Sequence, residues 1–198
     1  MADAPDADAR RARGRGRQKV EPPDTDAAVE IAARYLATRP RSRREVERRL
    51  QRAGADEAVI DATLDRLEQL GFVDDAAFVR WWAEQRDRHS PRGRRMVEAE
   101  LRQRGVSREA IESLRESWED PERAPGDEGL PGSDAERARI ALERHLRGRP
   151  VPEEPRALQR LGMFLMRRGF DPETVRSAIR AAQRDSGAAW ERHDDDPE

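Results

Sequence analysis

Cysteine is absent from the 198 residues. That excludes a disulfide framework, a thiolate zinc site and a cysteine nucleophile, and it suits a reducing compartment. Apolar material is also scarce: 35% of residues are hydrophobic, alanine included, against 40% charged. So thin a supply does not fill one thick core and better suits strongly amphipathic helices that share narrow seams. No apolar run approaches the roughly 20 residues of a membrane span. The N-terminus has no apolar signal-peptide core, so the expected location is the cytoplasm. Lysine is nearly missing, since 38 of the 39 basic residues are arginine and Lys19 stands alone. A coding bias toward arginine is the simplest account of that number, so placement carries the information. Guanidinium forks suit carboxylates and phosphates.

Catalytic signatures are missing too. There is no GxxxxGK[ST] phosphate loop, no GxSxG and no HExxH. His89, His145 and His193 are scattered along the chain. No catalytic residue, metal ligand or cofactor site is assigned, and the expected class is a non-enzymatic binding protein.

What is present is helical punctuation. "DAAVEIAARYLATR" puts Val29, Ala32, Ala33 and Leu36 on one face, and Pro40 ends that helix. "SRRE" from Ser42 to Glu45 is a capping box. The frame Φ-x3-Leu-x3-Gly-x5-Φ then occurs three times: Val46, Leu50, Gly54, Ile60; Val97, Leu101, Gly105, Ile111; and Leu161, Leu165, Gly169, Val175. Recurrence in order, with helix caps alongside, marks an internal repeat. The leucines face a seam, and each glycine takes the left-handed conformation that closes a helix.

The expected fold is all-α, three tandem three-helix, helix-turn-helix-like repeats. Residues 1–24 read as a basic disordered tail around "RRARGRGRQK". Residues 25–72 form repeat 1 and 73–118 repeat 2, with Ser90-Pro91 opening its middle helix and Ser107 its third. Residues 119–132, rich in Pro, Gly and acid, read as a flexible linker. Residues 133–185 form repeat 3, opened by a second capping box at Ser133 and Glu136, with "DPET" from Asp171 starting its last helix. Residues 186–198 read as an acidic tail.

Asp74 and Asp75 are adjacent carboxylates, yet at a helix start they point in different directions and form no acid/base pair. Asp74 is placed to cap the first helix of repeat 2. Val73 and Phe78 have hydrophobic-staple spacing, and Asp75 complements the helix dipole. Gly71 closes the preceding helix, and Phe72 and Val73 are expected to pack in the seam between repeats.

Arginines concentrate on the middle helices, with seven from Arg39 to Arg52 and eight from Arg86 to Arg108. Arg44, Arg48 and Arg52 recur every four residues beside the Val46/Leu50 seam. The plainer reading of such a face is a solvated surface with internal pairs, for instance Glu45 with Arg48 or Arg49. Similar faces on consecutive modules point instead to an extended charged surface that meets nucleic acid or a filament. The candidate contacts are Arg41, Arg44, Arg48, Arg52, Arg92, Arg94, Arg95 and Arg102. Of the neighbours Trp81 and Trp82, one is expected in the core and the other partly exposed, as binding anchors often are.

"RPRSRREVERRLQRAG", "LEQLGFVDDAAFV" and "GRRMVEAELRQRGVSREAI" together resemble the RecX family of recombinase regulators. The match is carried by Arg41-Ser42 after Pro40, by Gly71 to Asp75, and by Gly93, Val97, Glu100, Leu101, Gly105 and Val106. It covers roughly residues 34 to 114, and repeat 3 matches through spacing. The resemblance implies that the three modules form an elongated, curved arrangement, and that the chain binds the RecA recombinase filament in its groove and restrains strand exchange, ATP hydrolysis and repressor cleavage; the expected state is a monomer. Contact with single- or double-stranded DNA is expected to be weak and independent of sequence. The alternative is a helix-turn-helix DNA reader without a recombinase partner. The polar faces, nearly all Arg and Glu, offer no evident base-reading helix, and charge alone gives phosphate contact without sequence choice.

Overall fold

Glycines 54, 71, 105 and 169 each follow a helix with φ of +83°, +72°, +73° and +86°. In the computed structural model, which describes residues 21–119 and 133–191, all four close a Schellman motif. At Gly71 the amide donates to Glu68 O, and the Phe72 amide reaches back to Leu67 O at 2.9 Å. The same pair of bonds recurs around Gly54, Gly105 and Gly169.

Among the described residues there are nine helices and no strand. Repeat 1 holds α1 (Thr25–Leu36), α2 (Arg43–Arg52) and α3 (Glu57–Gln69). Repeat 2 holds α4 (Asp75–His89), α5 (Arg94–Gln103) and α6 (Arg108–Glu119). Repeat 3 holds α7 (Asp134–Leu146), α8 (Pro155–Arg167) and α9 (Pro172–Glu191). The basic stretch up to residue 20, the segment 120–132 and residues 192–198 lie outside the described residues. α9 reaches Glu191, past the boundary drawn at residue 185.

The nine apolar residues of the repeated frame are all buried, none more than 6% exposed. They fall into separate cores. Val46, Leu50, Ile60, Leu64 and Leu67 gather in repeat 1, and Val97, Leu101 and Ile111 join Phe78 and Trp82 in repeat 2. Leu165 and Val175, with Leu161 alongside Leu142, fill repeat 3. Both capping boxes form, at Ser42/Glu45 and Ser133/Glu136. Asp74 caps α4 by accepting from the Ala76 and Ala77 amides at 2.8 and 3.0 Å. Ser107 and Asp171 cap the last helices of repeats 2 and 3.

Four expectations need correction. On α1 the buried residues are Ala28 and Ala32, both 0% exposed, while Ala33 is exposed. The small side chains let α1 lie close on its neighbours, which turns the apolar face by about one position. The middle helix of repeat 2 begins at Arg94 with Gly93 as its cap, and Ser90 closes α4 instead. Val73 is buried, but in the core of repeat 1. Phe72 is 64% exposed, because the Schellman turn sends it outward as Val73 folds in.

The repeats meet through a junction that occurs twice. At the first, Ser42 Oγ donates to Arg104 O at 2.9 Å, and the Arg43 amide donates to Asp75 Oδ1 at 2.9 Å. At the second, the Gly93 amide donates to Arg168 O at 2.9 Å, and the Arg94 amide donates to Asp134 at 3.2 Å. Each time the start of one middle helix docks on the end of the next middle helix. Each time the carboxylate that begins the first helix of the following repeat, Asp75 in α4 and Asp134 in α7, takes an otherwise orphaned helix amide. Asp75 therefore ties two repeats together as well as facing its own helix dipole. The two carboxylates divide the work: Asp74→Ala is expected to cost about 0.5–2 kcal/mol as a lost cap, measured by urea unfolding.

Candidate partner-binding surface

The candidate arginines separate by what holds them. Arg92 pairs with Glu100, whose side chain is 11% exposed and also accepts from Trp82 Nε1 at 2.9 Å and Arg86 Nε at 2.6 Å. Arg94 donates to Trp118 O at 2.8 Å and faces Asp134. Arg94 is fixed by these contacts, whereas Arg92 is held through Nη1 and its Nε has no partner. Arg41 stacks 4.0 Å from the centre of the Tyr35 ring and donates to Thr38 Oγ1. Arg44 is exposed and pairs with Glu47, and Arg102 is exposed and pairs with Glu98. Arg48 and Arg52 on α2 and Arg95 on α5 are exposed, with no ion pair among the described residues. The pairs foreseen for Glu45 do not form. Its carboxylate, 13% exposed, holds Arg39 and Arg104 instead, since the docking of repeat 2 brings Arg104 closer than its own helix neighbours.

Trp82 is the core tryptophan, 8% exposed, with Arg104 stacked 3.7 Å from its ring centre. Trp81 is partly buried and packs against the same core.

Glu98 bridges Arg102 and Arg115 at 2.7 and 2.8 Å. Burial alone pushes its carboxyl up, but the hydrogen bonds and charge of Arg115 and Arg102 outweigh this and hold the pKa below its ordinary value near 4.5. A depressed folded pKa gives stability that is full above the unfolded pKa and disappears as pH falls through the folded one. The melting temperature of the wild type should therefore exceed that of Glu98→Gln at pH 7, and the gap should shrink as pH drops below about 4.

Sequence reasoning missed an apolar groove beside α1. Val29, Ala33, Leu36, Leu70, Phe72 and Ala77 line it, with Leu70 60% exposed at the rim. The signal was available, since Leu70 and Phe72 flank a left-handed glycine that cannot bury both neighbours.

Among the described residues no cluster of His, Asp and Glu is arranged to hold a metal, and no helix is long and apolar enough to cross a membrane.

Comparison with known proteins agrees with this architecture. Models of the first, second and third three-helix domains of RecX match residues 28–67, 74–113 and 133–179. The regulatory protein RecX of Thermobifida fusca is 38% identical over 143 residues, 71% of this chain and 70% of that protein. The Chlorobaculum tepidum regulatory protein RecX is 34% identical over 154 residues, 77% of this chain and 86% of that one. The crystal structure of RecX from Lactobacillus salivarius superposes with a TM-score of 0.63 at 17% identity, covering 80% of this chain and 96% of that one. With three matched repeats in order and relatives spanning most of its length, the chain belongs to the RecX family of regulatory proteins.

Proposed function

We propose that the chain is a non-catalytic regulator, and an inhibitor, of the RecA recombinase. It lies along the RecA–DNA filament as a monomer in the cytoplasm and restrains ATP hydrolysis, strand exchange and repressor cleavage in the SOS response. The observation that carries this reading, beside the family, is the recurrence of exposed, unpaired arginine on successive middle helices: Arg48 and Arg52 on α2, Arg95 on α5. Repeats in series set these charges at intervals, and a regularly spaced surface is suited to bridging the repeated subunits of a filament. DNA contact is weak, independent of sequence and secondary to the protein contact.

The test is the ATPase rate of RecA filaments on single-stranded DNA, titrated with this protein. Binding to the same DNA without RecA is the control. A fall in rate at concentrations too low to coat bare DNA supports the reading. No fall, with tight sequence-specific duplex binding, makes the chain a helix-turn-helix DNA reader instead. Replacing Arg44, Arg48 and Arg52 together with Ala is expected to weaken filament binding roughly 3- to 100-fold, since exposed charge contacts contribute about 0.2–1 kcal/mol each. Helicity by circular dichroism should be unchanged. Undiminished binding removes α2 from the contact.

A further inference from the structure

The two junctions are built alike, so a residue that breaks the pattern stands out. At the first, Arg104 at the end of α5 pairs with Glu45 in the first turn of α2, and Glu45 also holds Arg39. At the second, Arg168 takes the place of Arg104, one residue before the closing glycine. Counted from the helix caps Ser42 and Gly93, the place of Glu45 is taken by Met96 and that of Arg39 by Ser90. The interrepeat bonds keep the same register, since the Arg43 and Arg94 amides, each one residue past its cap, take the equivalent carboxylates Asp75 and Asp134, although the glycine that closes the docked helix lies against Arg44 at the first junction and against Met96 at the second. The acid has gone and the arginine remains.

Arg168 Nη1 donates to Ser90 Oγ at 3.0 Å, and its guanidinium lies 4.6 Å from the centre of the Phe164 ring. No carboxylate among the described residues pairs with it. Burial, and then the like charge of Arg92, push its pKa down. Arg92 shares its one acid, Glu100, with Arg86, and the Arg92 Nε is buried without a partner.

We propose that Arg168, Arg92 and Ser90 form an anion site at the junction of repeats 2 and 3 that receives a phosphodiester of a nucleic-acid backbone. Ser90 Oγ accepts from Arg168 and keeps its own proton to give to a phosphate oxygen. Two guanidinium groups from different repeats supply forked donors. The first junction shows the counter-charge that this place needs when it is built in. At the second it comes from outside. Arg95 in the first turn of α5 and Arg167 in the last turn of α8 are exposed beside the same docked helix ends. A polyanion satisfies all of these charges, whereas one carboxylate satisfies a single fork. The site rests on the DNA contact in the proposed function and gives that contact an address.

The test is fluorescence anisotropy of a labelled 20-nucleotide single strand, titrated with the full chain across a salt series without recombinase. Met96→Glu restores the acid of the first junction. It is expected to leave the melting temperature unchanged or raised and to weaken DNA binding several-fold more than Gln103→Glu, which adds the same charge to the same helix. Arg168→Gln is expected to weaken binding and to reduce the slope of log K against log salt by about 0.7, the share of one phosphate on a single strand. If Met96→Glu fails to fold, the Arg168→Gln slope decides. An effect of Met96→Glu no larger than that of Gln103→Glu overturns the site, and so does an unchanged slope in Arg168→Gln. If both variants bind DNA normally but no longer slow the RecA ATPase, the site receives a protein carboxylate: the phosphodiester assignment fails and the regulatory reading stands. If both lose DNA binding while even the wild type leaves the ATPase untouched, the site stands and the regulatory reading fails.

Discussion

Asp87→Ala is expected to destabilise the chain by about 3–5 kcal/mol, because it strands a buried arginine. Arg137 on α7 is 3% exposed and reaches across to Asp87 on α4 with both forks, Nε to Oδ1 at 2.7 Å and Nη2 to Oδ2 at 3.0 Å. Its third nitrogen faces Asp134 at 3.4 Å. Burial lowers the Arg137 pKa, but the hydrogen bonds and charge of Asp87 overcome this and raise it. The guanidinium cannot shed its proton to escape an apolar site, so removing Asp87 leaves a buried charge with only the longer contact to Asp134, which also accepts from the Arg94 amide. Urea unfolding measures the loss, and a change under about 1 kcal/mol would show that water reaches the pair. The double variant Asp87→Leu, Arg137→Met is expected to recover most of the loss, since apolar replacement of a whole buried pair is often neutral. The pair joins repeat 3 to repeat 2, so the single variant should free repeat 3 first, with protease cuts appearing there before they appear in repeat 1.

Gly93→Ala is expected to cost roughly 2–4 kcal/mol, as overpacking combined with a lost interrepeat hydrogen bond. Gly93 has ordinary extended backbone, φ −63° and ψ 149°, so conformational strain is not the cause. An added Cβ would lie 2.2 Å from Gly169 O and 2.9 Å from Phe170 N. Both are backbone atoms at a helix end and cannot swing aside. The methyl group would push α8 off α5 and break the bond from the Gly93 amide to Arg168 O. Gly54→Ala is the control. Nothing lies within 4 Å of its added Cβ, but its φ is +83°, so it should cost only about 1–2 kcal/mol of left-handed strain. Hydrogen exchange should show the difference in kind, with lost protection at the repeat 2–3 junction for Gly93→Ala and at the end of α2 alone for Gly54→Ala. Equal and purely local effects would mean that the second junction yields easily.

The helices, their closing glycines and their buried seams were legible because each depends on residues within one turn of each other. Asp74 as a cap and the capping boxes act over such spans, and the frame from Val46 to Ile60 is assembled from steps of four to six residues. What was hidden depends on a partner far along the chain. Glu45 was read against Arg48 and Arg49, yet Arg104 arrives from the next repeat and takes it. Asp75 looked like a dipole group until the Arg43 amide came to it. Arg92 and Arg94 read as surface charge, since nothing local reveals Glu100 or Asp134 as their partners. The start of α5 was the avoidable miss: Pro40 stands two residues before the cap Ser42, and Pro91 stands two before Gly93. Aligning the repeats by their prolines places the cap correctly, where the Ser-Pro pair alone misplaces it.

Because each core is drawn from one unbroken stretch, from Ala28 to Val73, Phe78 to Trp118 and Ala138 to Ala182, the chain has little need of distant encounters to fold. Low contact order of this kind favours fast folding, and units of this kind complete in order as they leave the ribosome. The first repeat can finish before the second has been synthesised, with the Ser42 hydroxyl and the Arg43 amide still bonded to water. Each later repeat then arrives at a finished template and displaces those waters, so assembly runs from the N-terminus by adding one unit at a time to an ordered edge.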